Sequence, residues 1–311
     1  MMLEFLESEH INPDLLRGLE AYRKEFPTPA ELQARVPIPH FHYYGKDVWE
    51  EAIAALLCGQ NLLLAGPKAT GKNVLAENLA AVFGRPMWNV SFHINMDATG
   101  MLGTDTFKNG EVEFRPGPVY QCAVKGGFGV FDEINMARNE AMAVLHSLLD
   151  FRHTVDIPGY DLLHADKACR FIATMNYGYS GTRELNEALA SRFAVIQLPS
   201  ISMDALERLL RDEFPTLRKE SLKAFCQIFK DLEKKCQESE ISEKALDLRG
   251  MLDAIHLMEA GLEAHKALDL GIVNKSFDEY EPGLIRDVIN LHIPGNYTKR
   301  TFSRTEEPWE N

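Results

Sequence analysis

Eight residues, Gly66-Pro-Lys-Ala-Thr-Gly-Lys72-Asn73, separate a short apolar stretch, Asn61–Ala65, from a run with helical spacing over Lys72–Phe83. A turn in that setting gathers backbone N–H groups around one point, and the helix it opens adds positive potential there. A phosphate is the group such a turn suits. Lys72 would place a point charge on the β- and γ-phosphates of ATP, and Gly66 and Gly71 permit backbone angles that a Cβ obstructs. Pro67, Lys68, Ala69 and Thr70 complete the cradle. The residue after such a lysine is ordinarily Ser or Thr, whose hydroxyl ligates Mg²⁺. Here it is Asn73. A carboxamide oxygen can take Mg²⁺ but has a different reach, and Mg²⁺ demands near-octahedral geometry. The departure predicts weaker handling of Mg²⁺–ATP with nucleotide binding retained.

About 60 residues further on, Gly129-Val-Phe-Asp132-Glu133 is an apolar run that ends in two carboxylates. Asp132 is placed to hold Mg²⁺, through water, and Glu133 to polarise an attacking water as a general base. Strand ends often carry acids, so it is the phosphate loop upstream that gives this pair its meaning. Phe171-Ile-Ala-Thr-Met-Asn176 is a second apolar run with a polar end, and Asn176 could orient the water or touch the γ-phosphate; alone it reads as a turn residue. Arg192 closes a helical stretch just before another apolar run. It either complements the helix dipole or reaches the ATP of a neighbouring subunit. Arg249, in Leu246-Asp-Leu-Arg-Gly250, opens a helix. Cations disfavour that position, which hints at an anion nearby; a surface salt bridge is the other reading.

These residues need a scaffold. Strands are expected at 61–65, 87–92, 128–131, 170–175 and 194–198, with helices at 47–57, 72–83, 139–149 and 184–192 between them. Strands alternating with helices imply a parallel sheet covered on both faces. Residues 1–35 have helical apolar spacing that breaks at Pro27 and Pro29. After Pro199 the strand signals stop, and 203–270 reads as helices only. The expected divisions are therefore a helical extension over 1–35, an α/β nucleotide-binding domain over 36–199, a helical lid over 200–290 and a polar tail over 291–311. Gly103–Arg115 carries a hairpin signature, with Asn109-Gly110 between alternating strands.

The 311 residues are 45% hydrophobic and 25% charged, an ordinary balance for a globular protein. The formal net charge of −13 argues against nucleic acid as the main ligand. The compact basic cluster at Lys299, Arg300 and Arg304 reads as a solvated tail. No apolar run is long enough for a membrane span, and no signal peptide is visible. Five scattered cysteines, none in a CxxC pair, indicate neither a disulfide framework nor a zinc site. A cytoplasmic setting is the expectation.

Taken together, GPKATGKN, GVFDEIN, FIATMNYGYSGTRELNEALASRF and ALDLRG, in that order, resemble the MoxR family of AAA+ ATPases, in particular its NorQ/CbbQ-like branch. The resemblance covers roughly residues 35–275, and the run from Asn176 to Phe193 is its most specific part. It implies a P-loop AAA+ core followed by a smaller all-helical lid. In its terms Asp132 and Glu133 are the Walker B acids, Asn176 is sensor 1, Arg192 the arginine finger and Arg249 sensor 2. Arg183 is a second candidate for an arginine acting on a neighbour. Residues 103–115 look like the helix-2 insert of this clade, and 152–170 like the hairpin before the sensor-1 strand. The resemblance further implies a homo-oligomeric ring, commonly a hexamer, and a protein client. Many members work with a partner that carries a von Willebrand factor A domain. The adenine pocket is placed only by position, at residues 36–45.

Overall fold

The computed structural model describes residues 2–108, 110–157, 159–177, 185–295, 297 and 303. The chain divides into two compact units: Met1–Pro67 with Gly71–Pro199, and Lys68–Thr70 with Ser200–Asn311.

Helices α1 (Met2–Ser8), α2 (Pro13–Glu25) and α3 (Lys46–Leu57) come first. The second has Asn12 as N-cap, accepting from Asp14 N, and Pro13 at its first position, where a missing N–H costs nothing. Strand β1 (Asn61–Gly66) leads through the glycine-rich turn into α4 (Lys72–Phe83), and β2 (Met87–Ser91) follows. Then come α5 (Ala98–Leu102), the hairpin strands β3 (Gly103–Lys108) and β4 (Glu111–Pro116), α6 (Pro118–Val124) and β5 (Phe128–Asp132). Past α7 (Asn139–Met142) and α8 (His146–Leu149), the short pair β6 (Thr154–Val155) and β7 (Leu163–His164) precedes β8 (Arg170–Asn176). The unit ends with α9 (Glu187–Ala190) and β9 (Phe193–Gln197).

Five strands form one parallel sheet in the order β2-β5-β8-β1-β9. The inner strands β1, β5 and β8 are mostly apolar and buried, as strands covered on both faces are, while the edge strands β2 and β9 carry exposed polar residues such as Asn89 and Gln197. Alternation divides β1 between two cores: Leu62 and Leu64 face a cluster with Trp49, Leu79 and Phe83, while Leu63 faces the opposite cluster with Phe131, Phe171 and Leu189. Leu6, Ile11, Leu19 and Tyr22 belong to the first of these, so residues 1–35 share the core of the sheet.

Two expected helices take a different form. The stretch 139–149 is not one helix: a 3₁₀ turn, Ala143–Leu145, separates α7 from α8. The buried residues Met142, Leu145 and Leu148 recur every three positions, a spacing that three residues per turn keeps on one face. The helix expected over 184–192 is only α9, because the Asn186 side chain accepts from Ala188 N and starts it late.

The second unit contains α10 (Met203–Glu213), α11 (Lys219–Gln237), α12 (Leu248–Glu259), α13 (Ala264–Gly271) and α14 (Glu281–His292). Leu222, Phe225, Phe229 and Leu232 of α11 are all buried at helical spacing. Helices α12 and α13 meet through two glycines: a Cβ on Gly250 would lie 2.0 Å from the Gly271 carbonyl oxygen. The last helix runs past 290, where an irregular tail was expected, and Ser303 pairs with Leu217 in an isolated bridge.

Candidate active site

The carboxyl ends of four strands lie side by side. Ser91 is level with Asp132 across β2–β5, and Gly66 with Asn176 across β1–β8. Crevices beyond the carboxyl ends of parallel strands are where α/β sheets hold ligands. The glycine-rich turn rises from this edge. Ala69 has φ of 60° and Gly71 of 78°, so the backbone curls through the left-handed region. Gly71 is the N-cap of the twelve-residue α4 and makes no side-chain cap hydrogen bond. Lys72 Nζ donates to the carbonyls of Gly66 (3.0 Å) and Pro67 (2.6 Å), which folds the buried ammonium back over the turn. A glycine-rich turn, a helix N-terminus and a held lysine fit a polyphosphate.

The acidic pair is built with equal definition. Asp132 is the last residue of β5; Glu133 turns out of the strand at φ 54° and ψ 47°. That conformation costs of order 1–3 kcal/mol for a residue with a Cβ and needs an anchor. Thr174 supplies it. Its hydroxyl accepts from Glu133 N (3.1 Å) and donates to Asp132 Oδ1 (2.6 Å). Asn176 Nδ2 donates to Glu133 Oε1 at 3.3 Å, and Asn135 Nδ2 donates to the Asn176 carbonyl at 3.3 Å. Asp132, Glu133 and Asn176 thus form one network around Thr174, a residue that the sequence reading passed over. Its signal was position: Thr174 lies two residues before Asn176, on the same face of β8.

Asn73 lies in the first turn of α4 and is exposed. With Asp132 it offers oxygen donors of the kind Mg²⁺ takes. Tyr43, in the 36–45 segment, packs on the turn: a Cβ at Gly71 would lie 3.1 Å from its ring. The segment is pinned to α4 by Asn78, which accepts from Tyr43 N (3.0 Å) and donates to the Phe41 carbonyl (2.9 Å). Burial pushes the Tyr43 phenol up to about 12.

Arg192 is not brought to this edge. It precedes Phe193, which pairs with Asn61 at the opposite end of β1. Gly66 lies five residue steps further along β1, roughly 16 Å at ~3.3 Å per residue. Its guanidinium donates to the carbonyls of His146 (3.0 Å) and Ala188, and lies 3.6 Å from Asp150 Oδ2. Arg249 lies in the second unit, exposed in the first turn of α12, whose N-cap Asp247 accepts from Gly250 N (3.1 Å) and from Lys275 Nζ. Arg183 lies outside the described residues.

A comparison with known families matches residues 61–193 to the AAA domain (dynein-related subfamily), the stretch that runs from β1 to the start of β9. The uncharacterized protein YojN of Bacillus subtilis (strain 168) is 32% identical over 280 residues, which cover 88% of this chain and 91% of that one. The chain belongs to the AAA ATPase family. An uncharacterized protein of Staphylococcus aureus (strain USA300) is 32% identical over 260 residues, covering 81% of this AAA protein and 98% of the relative. A solved structure from Cytophaga hutchinsonii covers 88% of this chain and 96% of its own, at 16% identity and a TM-score of 0.43. An AAA domain binds a nucleotide, and the glycine-rich turn is the part of this one shaped to hold it. Among the described residues no helix is long and apolar enough to cross a membrane.

Proposed function

We propose that the chain is a MoxR-like AAA+ ATPase that assembles into a homo-oligomeric ring, a hexamer by resemblance, and couples Mg²⁺–ATP hydrolysis to the remodelling of a partner protein. A companion with a von Willebrand factor A domain belongs to the same reading. One observation carries it: Lys72 and its loop, Asp132, Glu133 and Asn176 meet at one edge of the sheet.

In this reading the loop amides and Lys72 hold the β- and γ-phosphates. Asp132, kept in place by Thr174, and Asn73 are the protein groups that would hold Mg²⁺, which neutralises charge on the phosphate oxygens. Asn176 and Glu133 position a water. Its oxygen attacks the γ-phosphorus, the bond to the bridging oxygen breaks, ADP leaves, and Glu133 takes the proton. Arg192 is too far from the loop of its own chain and serves the neighbour's γ-phosphate, releasing Asp150 to do so. Arg249 is, by the same resemblance, the sensor-2 arginine.

Steady-state phosphate release with Mg²⁺–ATP tests this. Turnover well above that of Glu133→Gln supports the ATPase. Equal rates support a second reading that Asn73 motivates, a nucleotide-binding switch with little hydrolysis. Asn73→Thr should raise turnover or lower the Mg²⁺ concentration for half-maximal rate; if it does neither, the weight given to position 73 is misplaced.

A further inference from the structure

Trp88 and Asn89 of β2, an outer strand of the sheet, line a cavity of about 500 Å³. The cavity is separate from the nucleotide edge. Trp88 is level with Gly129, three residue steps before Asp132, and none of Lys72, Asp132, Glu133 and Asn176 lines it. One wall is a close backbone crossing at the root of the β3–β4 ribbon. Gly117 N donates to the Leu102 carbonyl at 2.8 Å, and a Cβ on Gly103 would lie 2.4 Å from the Arg115 carbonyl oxygen. Glycine alone fits there, and the crossing fixes where Arg115 leaves the ribbon. Gln121 is tied to the same wall, its Nε2 donating to the Pro116 carbonyl at 3.0 Å. Arg35 comes from a 3₁₀ turn, Ala30–Arg35, whose Leu32 is buried in the core cluster that holds Trp88. Its guanidinium lies over the indole, 4.7 Å from the ring centroid.

Two features mark a ligand site. The first is charge. Arg35 and Arg115 both line the cavity, and no Asp or Glu lines it. Among the described residues neither guanidinium has an ion-pair partner, in a chain with 46 acidic against 33 basic residues. Glu113 stands two residues along the same ribbon face as Arg115, outside the cavity. The second is Trp88. Its benzo edge is packed on Gly127, where a Cβ would lie 2.2 Å from Cζ3, and Nε1 is on the other edge of the ring. That N–H is buried and has no hydrogen-bond partner among the described residues, a rare and costly state for a donor. We propose that this cavity binds a small organic molecule through a doubly charged oxyanion group, a phosphate ester or a dicarboxylate, held by the guanidinium groups of Arg35 and Arg115. Guanidinium forks take phosphate and carboxylate oxygens in pairs, and two forks suit a dianion. The cavity is larger than a bare ion needs, and Asn89, Thr104 and Gln121 offer hydrogen bonds to the rest of the molecule.

The test uses the full chain with glycerol 3-phosphate and succinate as anionic probes and glycerol as the uncharged control. Calorimetry is run with each, and ATP binding is measured on the same samples. At least one anion should bind with a Kd below about 1 mM, glycerol at least about tenfold more weakly, and added salt should lower the anion's affinity. The tighter of the two anions separates phosphate from dicarboxylate. Arg35→Gln and Arg115→Gln should each weaken binding at least about tenfold, with ATP affinity unchanged. Binding should change the indole emission of the native chain and not that of Trp88→Phe, which ties the signal to this cavity among three tryptophans. Binding of neither anion, or binding that both arginine variants leave unchanged, would overturn the proposal. In the second case, displacement of glycerol 3-phosphate by ATP would assign it to the glycine-rich turn. A sedimentation result in which Arg115→Gln abolishes self-association while no probe binds would also overturn it, because the arginines would then meet a second copy. Where ATP binds and neither anion does, only this proposal falls.

Discussion

Thr174 holds two groups with one hydroxyl, the carboxylate of Asp132 and the backbone of Glu133 in its left-handed turn. Thr174→Val keeps the shape and removes both hydrogen bonds. We expect turnover to fall by about tenfold or more and stability by ~1–2 kcal/mol, while affinity for ATP without Mg²⁺ stays unchanged. Phosphate release, urea unfolding and metal-free calorimetry read the three effects. Lost stability with full turnover would leave Thr174 a purely structural residue. Asp132, Glu133 and Asn176 were legible in the sequence because each stands where an apolar run ends, and Lys72 because a glycine-rich turn between an apolar run and a helix precedes it. Thr174 was not. It sits inside such a run, where threonine is an ordinary strand former, and its role exists only because β5 and β8 are neighbours in the sheet.

Lateral strand order is a property of elements packed together, and it limits what spacing can say. The ribbon β3–β4 was readable because Asn-Gly at 109–110 is a hairpin signal in the sequence, and Lys108 does pair with Glu111. The break between α7 and α8 was not, since apolar residues three apart suit both kinds of helix until the core selects one. The loop after α8 also shows how elements are tied. Asp150 accepts from Arg152 Nε (3.0 Å) and Nη2 (2.7 Å) and faces Arg192, joining the root of the β6–β7 hairpin to the end of α9. Its hydrogen bonds from Arg152, reinforced by the positive charges of Arg152 and Arg192, lower the carboxyl from 3.8 to about 2. A carboxyl lowered on folding contributes stability above its unfolded value and loses that contribution as pH falls through the folded one. The stability difference between the native chain and Asp150→Asn should therefore be full above pH 4 and vanish toward pH 2. Urea unfolding over that range checks it; a difference independent of pH would mean that the ion pairs contribute nothing.

At the scale of the whole molecule, the proposed function makes assembly part of the chemistry, because Arg192 lies far from the loop of its own chain. Glu133→Gln and Arg192→Ala should each be inactive, yet mixing them should restore activity, because a site can take Glu133 from one subunit and Arg192 from the next. Random mixing at equal amounts gives about a quarter of the sites both groups. No recovery, from subunits shown by sedimentation to have mixed, would confine Arg192 to its dipole-complementing role. Beneath this stands the claim that Lys72 holds a triphosphate and Glu133 primes its cleavage. The most direct measurement identifies the nucleotide recovered from each purified protein after incubation with Mg²⁺–ATP. The account predicts ADP on the native chain, intact ATP on Glu133→Gln and almost none on Lys72→Ala; no nucleotide on the native chain, or ADP formed as fast on Glu133→Gln, would contradict it.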